Sequence, residues 1–400
     1  MALKGNAVIG QSGGPTQVIN QTLVGIIKEA RKHEEIETLY GAIHGVAGIL
    51  KDDFIDLGSL SYPELDLIAK TPGAGLGSVR KKPTDEECMA ILRIFQAKNI
   101  RYFFYIGGND SAETAYIIDN FAKRENYDLV VFHVPKTIDN DLLVNDHTPG
   151  YGSAARFVAM AFIGDNQDNK SLGGIKINVV MGRHAGFLTA ASILAKQRED
   201  DGPHLIYVPE AEFDFDNFLQ DVEDIYRRLG RVQIAVSEGI QKGGKPVYST
   251  GYKDSHGNVQ LGTAGELGAF LADFVKRELG GKLYKEIRVR ADTFGYVQRS
   301  FPIQSETDAK EAFMVGKRAV EYAIITGKSS SVAIKRLGED PDSYGADTFI
   351  TSLESVARHT KPLPSEYISP RGNNITESFI SYVAPLVGDL PKMGYIRGVS

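Results

Sequence analysis

The sequence predicts an α/β protein of two doubly wound (Rossmann-like) domains, each built on a mostly parallel sheet, with the active site in the cleft between them. Three observations carry this. Short β-branched runs alternate with helical patterns over most of the 400 residues, the pattern of layered α/β folds. The apolar runs show little in–out alternation, as strands do when helices cover both sheet faces. Several runs end in glycines, carboxylates and cations, at the strand ends where open α/β sheets bind ligands.

Lys4–Ile9 reads as the first strand and Gln11-Ser12-Gly13-Gly14-Pro15 as a tight turn. Ile19, Leu23, Ile26, Ile27 and Ala30 then share one helical face. Thr84–Lys98 is a helix whose Thr84 and Glu87 are spaced for a capping box. Ile100–Ile106 is a strand ending in Gly107-Gly108, Ser111–Arg124 a helix, and Leu129–Val134 a strand stopped by Pro135. Helices are predicted over Gly152–Asp165, Ala185–Lys196, Asp216–Leu229, Ala264–Leu279 and Thr307–Thr326. Strands are predicted over Ile175–Val180, Leu205–Val208, Val232–Ser237, Glu286–Val289 and Val332–Lys335. The domains expected are 1–150 plus roughly 300–336, and 151–299. Residues 337–400, richer in Pro and Gly, read as a C-terminal elaboration.

A net charge of −6 disfavours nucleic acid and anionic membranes as partners. Cys88 is the only cysteine, so neither an intrachain disulfide nor a Cys-based metal cluster is expected, which suits a reducing cytoplasm. Residues 1–9 are too short and polar to be a signal peptide. No apolar run approaches the roughly eighteen residues that would span a bilayer.

Gly13 and Gly14 open the backbone to a phosphate at a helix start, although a strand-to-helix turn also needs small residues. In Gly107-Gly108-Asn109-Asp110-Ser111, Asn109 and Asp110 present oxygens suited to a hard cation such as Mg²⁺; the alternative is a helix cap by Asp110 or Ser111. Pro135-Lys136-Thr137-Ile138-Asp139-Asn140-Asp141 is the sharpest signal. One of Asp139 and Asp141 could take a proton from a substrate hydroxyl while the other orients it or touches metal. Lys136 could neutralise a transferring phosphoryl group. Met181-Gly182-Arg183-His184-Ala185-Gly186 sets a phosphate-matched guanidinium at a strand end, with His184 read as structural. Glu238, Arg290, Arg299 and Arg80 lie at strand ends or in Gly-containing segments and fit a sugar-phosphate pocket, although each taken alone is more often a surface ion pair or helix cap.

Taken in order, Gly-Gly-Pro, Gly-Leu-Gly-Ser-Val-Arg, Gly-Gly-Asn-Asp-Ser, Pro-Lys-Thr-Ile-Asp-Asn-Asp, Met-Gly-Arg-His-Ala-Gly, Ser-Glu-Gly and Gly-Tyr-Val-Gln-Arg, running from Gly13 to Arg299, resemble the phosphofructokinase family. The resemblance implies phosphoryl transfer to the 1-hydroxyl of fructose 6-phosphate, with Asp139 as general base and Thr137 and Asp141 defining its site. It implies a sugar phosphate held by Met181, Gly182, Arg183, Glu238, Tyr296 and Arg299, and by Arg290 from a neighbouring subunit, hence a homodimer or larger oligomer. The 1–150 domain would bind the donor and 151–299 the sugar phosphate. ATP-using members usually carry glycine where this chain has Asp110, and often at Lys136. Asp110 would crowd and repel a nucleotide α-phosphate, and Lys136 would add a cation, the pattern of the pyrophosphate-dependent branch. Pyrophosphate and Mg²⁺ would then sit over Gly14, Arg80, Asn109 and Lys136, and the reaction would be reversible.

The chain departs from the family pattern at Asn109, where an aspartate usually binds Mg²⁺, and at Tyr296, where ATP enzymes often have histidine. Lys176 lies near, not at, the place of a subunit-bridging arginine. The alternatives are an ATP-dependent enzyme, use of sedoheptulose 7-phosphate, a polyphosphate-dependent NAD kinase, which the Met-Gly-Arg and Pro-Lys-Thr segments oppose, and a catalytically silent sugar-phosphate-binding homologue.

Overall fold

The computed structural model describes residues 2–249, 266–283, 286–338, 343–357 and 359–396. The chain divides into two units, residues 1–153 with 299–361 and residues 154–298 with 362–400. The first unit opens with β1 (Gly5–Gln11), α1 (Ile19–Ala30), β2 (Ile36–Ala42), α2 (Val46–Leu50), β3 (Phe54–Asp56) and α3 (Tyr62–Lys70). It continues with α4 (Asp85–Ala97), β4 (Ile100–Gly107), α5 (Asn109–Arg124) and β5 (Val130–Pro135). The second unit holds α6 (Tyr151–Leu172), β6 (Gly174–Val180), α7 (Phe187–Ala190), β7 (Leu205–Tyr207), α8 (Phe215–Leu229) and β8 (Arg231–Ser237). The small strands β9 (Gln241–Lys242) and β10 (Lys245–Pro246), then α9 (Glu266–Leu279), β11 (Val289–Thr293) and α10 (Val297–Ser300) follow. The chain returns to the first unit with α11 (Glu306–Thr326), β12 (Ser330–Leu337), β13 (Gly345–Thr351) and α12 (Leu353–Val356); α13 (Glu377–Val387) ends in the second.

The first unit's sheet has seven strands in the order β13-β12-β5-β4-β1-β2-β3. Its five inner strands run parallel and its two edge strands antiparallel. Along β1, Ala7 and Ile9 pack with Ile19, Leu23 and Val315, whereas Val8 packs with Ile91 and Ile118. Helices therefore cover both faces, which explains why the strands read as continuous apolar runs. The second unit's sheet, β11-β6-β8-β7, is wholly parallel, and Ile177 and Ile234 meet Val222 of α8 and Leu271 of α9.

Local chemistry sets the helix ends. Thr84 and Glu87 form both arms of a capping box at α4. Asp214 accepts the amides of Asp216 and Asn217 at 3.0 and 2.9 Å to start α8, and Gly230 ends it in the left-handed region. Helices α1 and α11 approach closely at two glycines. A Cβ on Gly25 would lie 2.3 Å from the Phe313 carbonyl oxygen, and one on Gly316 2.1 Å from that of Thr22. Gly25→Ala and Gly316→Ala should each lower stability by about 1–3 kcal/mol through overpacking, read as a lower urea midpoint; unchanged midpoints would show that the helices need no such approach.

Several elements differ from those predicted. The strand placed at Glu286–Val289 is Val289–Thr293, because pairing with β6 begins only at Val289 opposite Ile175. The helix expected over Ala185–Lys196 is the short α7 followed by a 3₁₀ turn over Ala191–Ala195, where the Ser192 hydroxyl bonds back to the Thr189 carbonyl at 2.7 Å. The helix from Gly152 runs on to Leu172. Ala264 and Gly265 of the Ala264–Leu279 helix lie outside the described residues. Residues 337–400 are not one appendage: the segment to Lys361 supplies edge strand β13 to the first sheet, and the rest belongs to the second unit.

Candidate active site

Parallel pairing collects three loops at one edge of the first sheet. Gln11 at the end of β1 is opposite Ile106 of β4, and Gly107 is opposite Pro135 of β5. The loops Ser12–Gly14, Gly108–Asp110 and Lys136–Asp141 therefore start side by side. Backbone bonds lock them: Ser12 N–H to Ile106 O at 2.9 Å, Lys136 N–H to Gly107 O at 3.0 Å and Gly13 N–H to Val79 O at 3.0 Å. The last ties in the segment that carries Arg80. His133 braces this edge from below, one ring nitrogen on the Gly107 carbonyl at 2.9 Å and the other on Ser331 Oγ at 2.8 Å. Burial pushes its pKa down to about 4, so the ring is neutral.

Lys136 is the most unusual group here. Its side chain is buried, and its ammonium donates to the Gly14 carbonyl at 2.7 Å. Burial drives its pKa down to about 7; Arg299 and Arg80 push the same way, and Asp139 and Asp141 oppose them. Gly13 has φ +77°, and a Cβ there would stand 3.2 Å from Lys136 Nζ; at Gly14 it would stand 3.1 Å from Arg299 Cζ. The glycine turn thus lies beside three cations of the same unit. Such a cluster is unfavourable until an anion enters it.

Beside the cations is a carboxylate pair. The Asp139 amide donates to Thr137 Oγ1 at 3.1 Å. Asp141 accepts from Asn109 Nδ2 at 2.9 Å, and burial together with the Asp139 charge raises its pKa to about 7. Thr137 is fixed by its amide on Pro149 O at 3.1 Å and by Thr148 Oγ1 on its carbonyl at 2.9 Å. Neither Asp110 nor Ser111 caps α5, which begins at Asn109 with Gly108 as its N-cap. The exposed Asp110 carboxylate lies on the first turn, 3.3 Å from Lys82 Nζ, which also binds Glu113 at 2.5 Å.

The Asn109 carboxamide oxygen is buried with no hydrogen-bond partner, its nitrogen being held by Asp141. A lone oriented oxygen suits a hard cation. Among the described residues no group of three or more His, Cys, Asp or Glu could enclose a metal. Any Mg²⁺ here must take most of its oxygens from substrate and water, the usual habit of that ion at phosphates.

In the second unit, the adjacent strands β11, β6 and β8 bring a second group of loops together. The Met181 amide faces Gln298 Oε1 at 3.4 Å, and the Gly182 amide faces Glu238 Oε1 at 3.5 Å. Gly182 has φ +137°, and a Cβ there would meet the Ala185 carbonyl at 2.6 Å, so only glycine fits the turn that presents Arg183. The Ser237 hydroxyl holds the Gly182 carbonyl at 2.6 Å. His184 is exposed and Tyr296 is 71% exposed.

One residue is placed differently along its strand from what the sequence predicts. Arg290 is at the start of β11, not its end, exposed on the sheet's edge strand. Arg299 follows Gln298 in the chain and counts with the first unit, where its guanidinium lies against Gly14. Lys176 pairs with Asp292 at 2.5 Å and Asp165 at 3.2 Å. Gln298, which faces Met181, was not singled out in the sequence although it stands inside the quoted Gly-Tyr-Val-Gln-Arg segment. No helix among the described residues is long and apolar enough to cross a membrane.

Comparison with known proteins identifies the family. The chain is 49% identical over 391 residues to the pyrophosphate–fructose 6-phosphate 1-phosphotransferase of Rhodospirillum rubrum, covering 96% of this chain and 95% of that one. A pyrophosphate-dependent phosphofructokinase crystal structure from Marinobacter aquaeolei superposes with TM-score 0.84 at 34% identity, covering 99% of this chain and 94% of that one. One from Nitrosospira multiformis gives 0.86 at 32%, covering 98% and 94%. With residues 6–323 also matching the family model for phosphofructokinase, the chain belongs to the phosphofructokinase family.

Proposed function

We propose that this chain transfers a phosphoryl group from pyrophosphate to the 1-hydroxyl of fructose 6-phosphate, reversibly, giving fructose 1,6-bisphosphate and phosphate, with Mg²⁺ as cofactor. The observation that carries the reading is the buried Lys136 beside Arg80, Arg299 and the Gly13-Gly14 turn, a compact anion site next to a carboxylate pair. The name of the Rhodospirillum rubrum relative supports it.

In this reading the first unit binds the donor through Gly14, Arg80 and Lys136, and Arg299 shares that site. Asp139 takes the proton of the 1-hydroxyl, with Thr137 and Asp141 fixing its position. The new bond joins O1 to phosphorus, the bridging P–O bond of pyrophosphate breaks, and its electron pair leaves with phosphate. Lys136 stabilises the charge spread over the transferring group. Asn109 would hold Mg²⁺, which supplies charge neutralisation on the phosphates when bound. Asp110 disfavours a nucleotide by adding negative charge at the α5 start. Met181, Gly182, Arg183, Glu238, Tyr296 and Arg299 bind the sugar phosphate. Arg290, at an exposed strand edge, serves the 6-phosphate of a neighbouring subunit in a homodimer or larger oligomer.

The test is formation of fructose 1,6-bisphosphate by the purified chain from pyrophosphate and fructose 6-phosphate, coupled to aldolase. Chelating Mg²⁺ should stop turnover and adding it back should restore it. No bisphosphate would sink the reading, and full turnover in excess chelator would sink its metal part.

A further inference from the structure

Loop Asp139–His147 is held in a strained shape, and its restraints point to one residue far away in sequence. Asn140 and Val144 both have positive φ, +59° and +69°. For a β-branched residue such as Val144 this region is a genuine outlier, and it persists only where the surroundings over-determine it. Val144 cannot supply the restraint itself, since its side chain is 43% exposed.

The restraint comes from the segment that follows α12. Leu142 bridges Thr360, and the Lys361 amide donates to the Asp141 carbonyl at 2.7 Å. The Lys361 ammonium then donates to the carbonyls of Asn145 at 2.9 Å and Asp146 at 2.7 Å. One residue thereby grips the loop on both sides of Val144. Strand β12 adds a second hold: Asp146 N–H on Ile334 O at 3.0 Å and Ile334 N–H on Asn145 Oδ1 at 3.1 Å. These β12 contacts hold the far end of the loop without tying it to Asp141; the backbone amide of Lys361 holds Asp141 while its ammonium holds Asn145 and Asp146, so the side chain joins the two ends.

We propose that Lys361 is a positioning residue for phosphoryl transfer: it clamps the strained loop so that Asp139 and Asp141 keep their working geometry. The inference rests on the proposed role of Asp139. It gives a function to a segment whose sequence showed none. Lys361 touches no reacting atom; losing its ammonium keeps the amide bond to Asp141 but frees Asn145 and Asp146 from it, so the strained loop can relax and shift the carboxylates without removing a substrate contact. A misplacement of about 1 Å at a reacting group can cost around a hundredfold in rate.

The experiment compares wild type with Lys361→Met, Lys361→Arg, Val144→Gly and the double variant Val144→Gly/Lys361→Met. Lys361→Met should lower kcat by about tenfold to a hundredfold, with KM for pyrophosphate and fructose 6-phosphate changed less than about threefold. Lys361→Arg, which keeps the charge and donors, should recover most of the rate. Val144→Gly should be nearly silent alone. In the Lys361→Met background it should restore several-fold activity, because glycine accepts the positive φ without restraint. Wild-type kcat in Lys361→Met would overturn the proposal, as would a folded double variant no better than Lys361→Met. Should Lys361→Met fail to fold, Lys361→Gln carries the same comparison and the same two outcomes. Retained activity in Asp139→Asn would instead sink the underlying assignment of the base, whatever the Lys361 variants do.

Discussion

Asp139→Asn lowers kcat by about 10² to 10⁴, the usual size of a general-base contribution, while binding of fructose 6-phosphate stays within a few-fold. The amide keeps the shape of the carboxylate but cannot accept the 1-hydroxyl proton. Thr137 Oγ1 bonds the backbone amide of residue 139, so the substitution leaves that bond intact. A variant with near-normal turnover would show that the proton goes elsewhere. The loss should appear with saturating substrates, because the interaction removed belongs to the transition state and not to the bound ground state.

Lys136→Met lowers kcat by about 10² to 10³, comparable to removing one preorganised charge-stabilising donor, while leaving stability at pH 6 unchanged or raised. The two effects differ in sign because this ammonium is held where its charge is unfavourable without a ligand. Its folded pKa of about 7 lies well below the ordinary lysine value. The folded state therefore binds fewer protons than the unfolded one between about pH 7 and 10.5, and this residue makes stability rise with pH across that window. Urea unfolding at pH 6 and 9 should show that rise in wild type and less of it in Lys136→Met. In kinetics, kcat/KM for pyrophosphate should fall as free-enzyme Lys136 loses its proton above about pH 7, a limb missing from the variant's profile. A variant with wild-type kcat would remove Lys136 from the mechanism.

The site was legible where chemistry is local. Gly13-Gly14, Gly107–Asp110 and Lys136–Asp141 each follow an apolar run directly, so a strand end and its loop could be read as one unit. Strand β2 was missed because Ile36–Ala42 mixes exposed and buried positions and lacks the unbroken apolar run of its neighbours. Strand β13 is half-buried along most of its length and gave equally little signal. Arg290 was set at a strand end because Ile287 and Val289 look like strand centre, yet pairing starts only at Val289. The position of Arg299 against Gly14 and the grip of Lys361 on Asp141 depend on chain crossings far apart in sequence, which no periodicity records. Nor does Gly25 advertise its role, since a glycine inside a helix reads as a weakness until the Phe313 carbonyl is placed beside it.

Asp110 and Lys136 are proposed to select a compact inorganic donor. The most direct measurement is kcat/KM with pyrophosphate and with ATP for the same purified enzyme, alongside an Asp110→Gly/Lys136→Gly variant. Pyrophosphate should be used far better than ATP, and the double variant should narrow the gap. ATP turnover equal to or above that with pyrophosphate in the wild-type enzyme would contradict this selection.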